Sequence, residues 1–426
     1  MNGLSRQSRQ LIRTCWGHSL RQQAPLPISA VQRCRYSSSV SNGSPAGAAS
    51  IDIEAIRAEM LARRPQVHLD MISPLNSNHL TTALSEFLPE KCYKNQFISH
   101  HKLYTRTPFD HKNRPIPAGH HLVYFPLQRR GSDLCPDGTD PYHSPRDTPF
   151  TRRMWAGGSI KGFRNLSLGE GRALCLERIV DVDVRGSAGA EKIFVEVLRE
   201  YVDLDATDNF GDAHDRNLII LETQARPPDH YLTTTYQPLD PSKYELRGIT
   251  EHRTLVFMRE PSDEEKKMNL EQKQRIVKAP TDPDYSVTLT PTPTLLFHYS
   301  ALTYNAHRIH LDRSYCREVE GHRDLLVHGP LSLTLMLSVL QSQLETNELE
   351  FTDNIDYRHL APLYVGQPMR VCVKLQKSMA GKNETEVGRR RWDLWVENQD
   401  GSLCVRGTAV TLKPSPIYCD TLGIST

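Results

Sequence analysis

The first 50 residues contain no aspartate and no glutamate; the first acid is Asp52. No run of about 18 apolar residues occurs, so the chain offers no candidate for a membrane-spanning helix and none for membrane insertion. The nine cysteines, at positions 15, 34, 92, 135, 175, 316, 372, 404 and 419, never fall at CxxC spacing. Neither a zinc module nor a disulfide framework is implied, and reduced thiols are expected. A strong net charge is missing too, with 52 basic against 50 acidic residues.

The acid-free start is rich in arginine, at positions 6, 9, 13, 21, 33 and 35, and in Ser and Gln. Leu4, Leu11 and Ile12 can share one helical face, with Arg6, Arg9 and Arg13 on the other. That pattern reads as a mitochondrial presequence and points to the matrix. Arg33-Cys34-Arg35-Tyr36-Ser37 resembles a matrix-peptidase cleavage context. Residues 37–50 read as a Ser/Gly/Ala/Pro linker. Setting the six arginines aside leaves 46 basic against 50 acidic residues, a net charge of −4, which excludes a basic nucleic-acid binder.

A length of 426 residues favours two domains. Helical spacing covers 51–64, a second helix is expected near 79–87, and 93–149 is proline-rich loop with a short apolar strand at 121–125. This loop carries His100, His101, His111, His120, His121 and His143 without a repeated ligand spacing, so no metal site is expected. Surface histidines in a loop are the default reading; an alternative is that this long loop covers an acyl pocket, since long loops in compact domains are often functional. Trp155 precedes Gly157-Gly158, a pair that signals a bulge or close backbone approach. Alternating segments at 173–184, 193–202, 218–223 and 254–258 read as strands with one buried face. The charged run 263–275 reads as a solvated linker, helical at most. Beyond it, a helix is expected over 330–346 and strands over 351–360, 368–376, 391–396 and 403–412, with a hairpin tip at 381–383.

The chemistry concentrates between Leu295 and Leu331. Asn305, His307 and His310 are closely spaced, Asp312 follows, and His328-Gly329-Pro330 opens an apolar helix. Histidine carries a proton either way near neutral pH. A glycine at a helix mouth offers a backbone N–H to a developing anion, aided by the helix dipole. Together they suit abstraction of a proton beside a thioester carbonyl.

This stretch resembles the hydratase 2 motif of MaoC-like hotdog enzymes, Asp-x-Asn-Pro-x-His. Its final His falls on His310; Asn305 fills the Asp slot, His307 the Asn slot and Arg308 the Pro slot. The run Tyr304-Asn305-Ala306-His307-Arg308-Ile309-His310, followed by Val327-His328-Gly329-Pro330, is closer still to fungal mitochondrial 3-hydroxyacyl-thioester dehydratases of type 2 and mesaconyl-CoA hydratase-like proteins. Arg153-Met154-Trp155-Ala156-Gly157-Gly158 resembles a segment of the same relatives. The resemblance implies an α+β double hotdog, each unit an antiparallel sheet wrapped around a central helix. It divides the chain into a presequence and linker (1–50), a degenerate N-terminal hotdog (51–262), a linker (263–279) and a catalytic hotdog (280–426).

It further implies a hydro-lyase converting (3R)-3-hydroxyacyl thioesters to trans-2-enoyl thioesters in mitochondrial fatty acid synthesis. The alternatives are a hydratase for a short dicarboxylic enoyl-CoA and an inactive acyl-thioester binding module. His310 would be the base, Asn305 would orient water or the 3-hydroxyl, and His307 would share the proton work. Gly329 N–H would hold the thioester oxygen, with Asp312 and His328 in support. Trp155, Gly157 and Arg308 are candidates for the pocket wall. No metal or organic cofactor is implied. The partner would be acyl carrier protein or a CoA thioester, met by Arg129-Arg130, Arg152-Arg153 or Arg389-Arg390-Arg391, and the chain could form a homodimer. Asn305 departs from the motif, because an amide cannot titrate where an Asp could.

Overall fold

The computed structural model describes residues 52–93, 114–169, 171–187, 189–204, 248–271, 276–344, 350–376 and 388–413. The expected presequence, the strand at 218–223 and the hairpin tip at 381–383 lie outside these residues.

Ten strands form one antiparallel sheet. In chain order they are β1 (Gln66–Met71), β2 (Arg152–Lys161), β3 (Arg172–Arg185), β4 (Lys192–Asp203), β5 (Ile249–Met258), β6 (Tyr285–Leu289), β7 (Phe351–His359), β8 (Met369–Leu375), β9 (Arg389–Glu397) and β10 (Leu403–Leu412). Across the sheet the order is β1-β3-β4-β5-β2-β7-β10-β9-β8-β6. Each half therefore places its first, third, fourth, fifth and second strands in that order from the outer edge to the seam. The chain is a structural repeat, although the two halves share no repeat legible in the sequence.

The halves join where β2 pairs with β7, from Gly157 opposite Arg358 to Lys161 opposite Asn354. The doubled glycine makes this join possible. The register with β5 shifts between Trp155 and Gly157, a bulge. Gly157 has φ +155°, and a Cβ there would lie 2.4 Å from Tyr357 O. At Gly158 a Cβ would lie 2.0 Å from His252 O.

The central helix of the second half is α5 (Gly329–Gln341), after α1 (Ile53–Leu61), α2 (Pro74–Ser85), α3 (Asp263–Glu271) and α4 (Pro293–Thr303). All residues from Leu331 to Leu340 are buried, so α5 is apolar all round, as a helix wrapped by a sheet must be. Its buried hydroxyls are satisfied on carbonyls one turn back: Thr334 Oγ1 donates to Pro330 O at 3.0 Å and Ser338 Oγ to Thr334 O at 2.9 Å. The helix stops at Gln341, short of the expected residue 346. This is the α+β double hotdog.

In the first half the strand expected at 121–125 is instead a 3-10 turn, His120–Val123. A short apolar run does not distinguish the two by itself. Here left-handed Gly119 and Phe125 bracket it, and it packs on α2 through a 2.6 Å contact between His120 Nδ1 and Ser77 Oγ. The second helix, α2, begins at Pro74 rather than near 79, capped by Ser73 Oγ, which accepts from Leu75 N–H. Among the described residues no helix is long and apolar enough to cross a membrane.

Candidate active site

Helix α4 begins at the cap Thr292, whose Oγ1 accepts from Leu295 N–H, and ends at Tyr304, which is left-handed at φ +52°. That turn throws the chain into the loop carrying Asn305, His307 and His310. Asn305 N–H donates back to Ser300 O at 2.8 Å. The Asn305 Oδ1 accepts from His307 N–H at 3.1 Å, which fixes the loop and leaves the amide NH2 for other partners.

The fold brings three histidines together. His310 stacks on His328 with ring centres 3.7 Å apart and planes at 22°. His307 meets His310 edge-on at 5.4 Å. His310 Nδ1 lies 2.8 Å from Leu326 O. A carbonyl only accepts, so Nδ1 carries the hydrogen and Nε2 keeps its lone pair. Burial lowers the His310 pKa to about 4, with the Leu326 contact opposing and the charge of Arg153 assisting, so the ring is a neutral base at neutral pH. Burial holds His307 and His328 well below the ordinary value as well, followed by the Arg153 charge for His307 and by His310 for His328. The His328 Nε2 is 2.8 Å from Ser300 Oγ.

A carboxylate that the motif lacks arrives from the first half. Asp137 Oδ2 lies 3.5 Å from His307 Nε2. The other carboxylate oxygen of Asp137 accepts from Thr139 N–H and Oγ1 at 2.9 and 2.7 Å. The backbone holds the two loops together, with Arg308 N–H donating to Asp137 O at 2.8 Å. Gly138 seals the contact: it has φ +86°, and a Cβ would stand 2.1 Å from Ala306 O. The Asp137-Gly138 pair is a turn signal within the loop read as a pocket cover, which is the one trace of this site in the sequence of the first half.

Beside these groups is a cavity of about 440 Å³, the size of a small-molecule site. Its walls include Asn305, Ser300, Trp155, Arg153 and Pro330, and much of the 122–143 loop. The three histidine rings lie just behind that wall rather than on it; Ser300, on the wall, connects to His328 by the hydrogen bond above. Gly329 opens α5 with its backbone pressed on Trp155, since a Cβ would meet Trp155 Cβ at 3.1 Å and His359 Nε2 at 3.2 Å. Trp155 itself is held by donating Nε1–H to Tyr357 OH at 3.0 Å. Gly157 is at the sheet seam and outside the wall. Arg308 also lies outside it: its guanidinium pairs with Asp312 at 2.8 Å and covers the Tyr315 ring. Asp312 holds Arg308 and the Tyr315 N–H (3.0 Å); the carboxylate that faces one of the three clustered histidines is Asp137.

The wall is charged as well as apolar. Arg129 pairs with Asp140 at 3.0 Å, Arg199 with Glu177 at 3.0 Å and Arg253 with Glu251 at 2.6 Å. Asp140, His143 and Glu177 hold donor atoms within 4.8 Å of one another. A divalent cation there would have to displace Arg129 and Arg199 from these carboxylates, so the donor set does not fit a metal. Of the basic runs read as carrier surfaces, Arg130 pairs with Asp133, Arg152 with Glu320 and Arg390 with Glu350, while Arg389 and Arg391 are exposed.

The sequence profile of the hydroxyacyl-thioester dehydratase type 2 family matches residues 119–233 and 233–365, more than half of the chain. The chain belongs to that family. As a type 2 dehydratase it is a hydro-lyase of acyl thioesters, and the matched region holds Asp137, Arg153, Asn305, His307, His310, His328 and Gly329. It is 26% identical to the mitochondrial hydroxyacyl-thioester dehydratase type 2 of Schizosaccharomyces pombe over 310 residues, 71% of this chain and 88% of the relative. It is 27% identical to the mesaconyl-C(4)-CoA hydratase of Chloroflexus aurantiacus over 299 residues, 69% and 83% of the two chains. A solved MaoC-like dehydratase matches with a TM-score of 0.50 at 9% identity, over 84% of this dehydratase and all of that chain, a likeness of fold.

Proposed function

We propose that this enzyme interconverts (3R)-3-hydroxyacyl and trans-2-enoyl thioesters, with His310 as the base. The observation that carries the reading is the hydrogen bond from His310 Nδ1 to Leu326 O, which leaves the Nε2 lone pair of a neutral ring free beside the Asn305 wall of the cavity. His310 Nε2 takes the C2 proton. The Asn305 amide orients the 3-hydroxyl, and the first-turn N–H of α5 at Gly329 supports the thioester oxygen. Hydroxide leaves C3 and collects the proton from the imidazolium. The 280–426 unit supplies the catalytic groups, while the 51–262 unit closes the pocket and lends Asp137 to His307.

The arginine-rich, acid-free start and the mitochondrial relative support a place in matrix fatty acid synthesis, with acyl carrier protein as the carrier. A second reading, hydration of a short dicarboxylic enoyl-CoA, is favoured by the arginines on the cavity wall. The test is hydration of crotonyl-CoA, a longer 2-enoyl-CoA and the matching acyl carrier protein thioester by residues 37–426 and by His310→Ala. Turnover that rises with chain length and disappears in His310→Ala supports the first reading. Turnover limited to a carboxylated C4 substrate supports the second. No turnover on any thioester overturns both and leaves a binding module.

A further inference from the structure

Four arginines line the cavity, and three of them are closed by a carboxylate within 3.0 Å. Arg153 is the exception: among the described residues its guanidinium has no hydrogen bond and no ion pair within 4.0 Å, although its backbone is paired in the sheet opposite Phe257. The charges it feels most strongly are those of Asp137 and Asp140; Asp137 already holds Thr139 and faces His307, and Asp140 pairs with Arg129. Arg153 is half-buried, and its guanidinium faces the cavity with no carboxylate to neutralise it, so it is open to an anion brought by a ligand.

The strand fixes where that anion would sit. Arg153 and Trp155 are two residues apart on β2 and both line the cavity, so they share one face. Trp155 packs on Gly329, the first residue of α5. Arg153 thus stands two residues along the strand, roughly 7 Å, from Trp155, the residue that packs on the helix mouth read as the thioester site. Its charge is also felt by both His307 and His310.

Resting on the dehydratase reading, we propose that Arg153 is a catalytic residue whose guanidinium binds the thioester oxygen and stabilises the enolate. When His310 removes the C2 proton, the C–H electron pair forms the C1–C2 double bond and the charge settles on the thioester oxygen. That oxygen is neutral in the substrate and anionic only on the way to product, so a fixed cation beside it favours the transition state over the ground state. The electron pair then returns to form C2=C3 and expels hydroxide from C3, which takes its proton from His310. The three closed arginines have no charge to spare for this task. With the acyl carbonyl at Gly329 a carrier phosphate does not meet Arg153, because the pantetheine arm separates the phosphates from that carbonyl.

The test compares Arg153→Met and Arg153→Lys with the wild type on crotonyl-CoA, which has no acyl carboxylate. The expected result for Arg153→Met is a fall in kcat of at least 100-fold with KM within a few fold, and recovery of at least tenfold in Arg153→Lys. Acetoacetyl-CoA provides a readout that needs no turnover: the wild type should shift the bound ligand to its enolate, seen by its ultraviolet band at a fixed pH, and Arg153→Met should not. The same titration shows whether the variant still folds and binds. Equal kcat in wild type and Arg153→Met would overturn the assignment while leaving the dehydratase reading intact. So would an effect confined to a carboxylated analogue such as 3-carboxyacryloyl-CoA, which would make Arg153 a substrate-carboxylate anchor. A wild type inactive on every thioester would instead sink the dehydratase reading itself.

Discussion

His310 has its base form set by two neighbours. Leu326 O takes the Nδ1 hydrogen, and burial lowers the pKa to about 4. The neutral ring is the active form, so protonation at low pH removes activity. The acid limb of kcat/KM is expected near pH 4 to 5, well below the ordinary histidine value of 6.5. A limb near 6.5 would show that the ring titrates in water, against this geometry. Asp137 makes a second claim. Asp137→Asn keeps the oxygen that accepts from Thr139 but removes the charge facing His307. Turnover should fall about tenfold or more with little change in stability. Asp137→Ala loses the turn as well, and should cost a further ~1 kcal/mol in urea denaturation.

The loop around Gly138 and the strand β2 carry the site between the two halves. At Gly138 a side chain meets both a left-handed backbone and Ala306 O. Gly138→Ala should therefore cost about 1–3 kcal/mol and move the His307 loop, so activity should fall more steeply than the melting temperature. A variant with full activity and an unchanged Tm would show that the two loops do not need this contact. Most strands were legible as alternation: β10 matches its expected span residue for residue, and β3 and β4 differ by one residue at each end. The close approach at Gly157-Gly158 was legible too, but the strand that carries it, β2, was not expected, because its alternation is broken by the bulge. His120–Val123 was not, since four apolar-flanked residues carry no period, and tertiary packing against α2 decided the outcome. Asp137 was not either. The motif signals its own loop, and a partner some 170 residues away is joined to it only by the fold.

Across the whole molecule, the ten-stranded sheet and the elements packed on it bury histidines that sequence alone would leave as solvated loop residues. Burial lowers the pKa to about 4 for His68, His121, His310, His322 and His359, and to about 3 for His120. His120 and His121, in the proline-rich loop, are core residues packed on Ser77, Phe163 and Tyr201. Unfolding returns each ring toward 6.5. Between about pH 6.5 and 4 the unfolded chain then holds more protons than the folded one, so stability is full above 6.5 and falls as the pH drops. Each such ring adds up to about 1.4 kcal/mol per pH unit to the slope. The carboxylates Glu177 and Glu251 are held below their ordinary value by His143 and Arg253 in turn, against the pull of burial. Their contribution is lost only on further acidification, below about pH 4.5. Urea denaturation at pH 7.5, 6.0 and 5.0 should therefore show a falling free energy of unfolding with net proton uptake, most of it above the carboxylate range. Equal stability at pH 7.5 and 5.0 would mean that these rings already reach solvent in the folded protein, against the burial that holds them neutral.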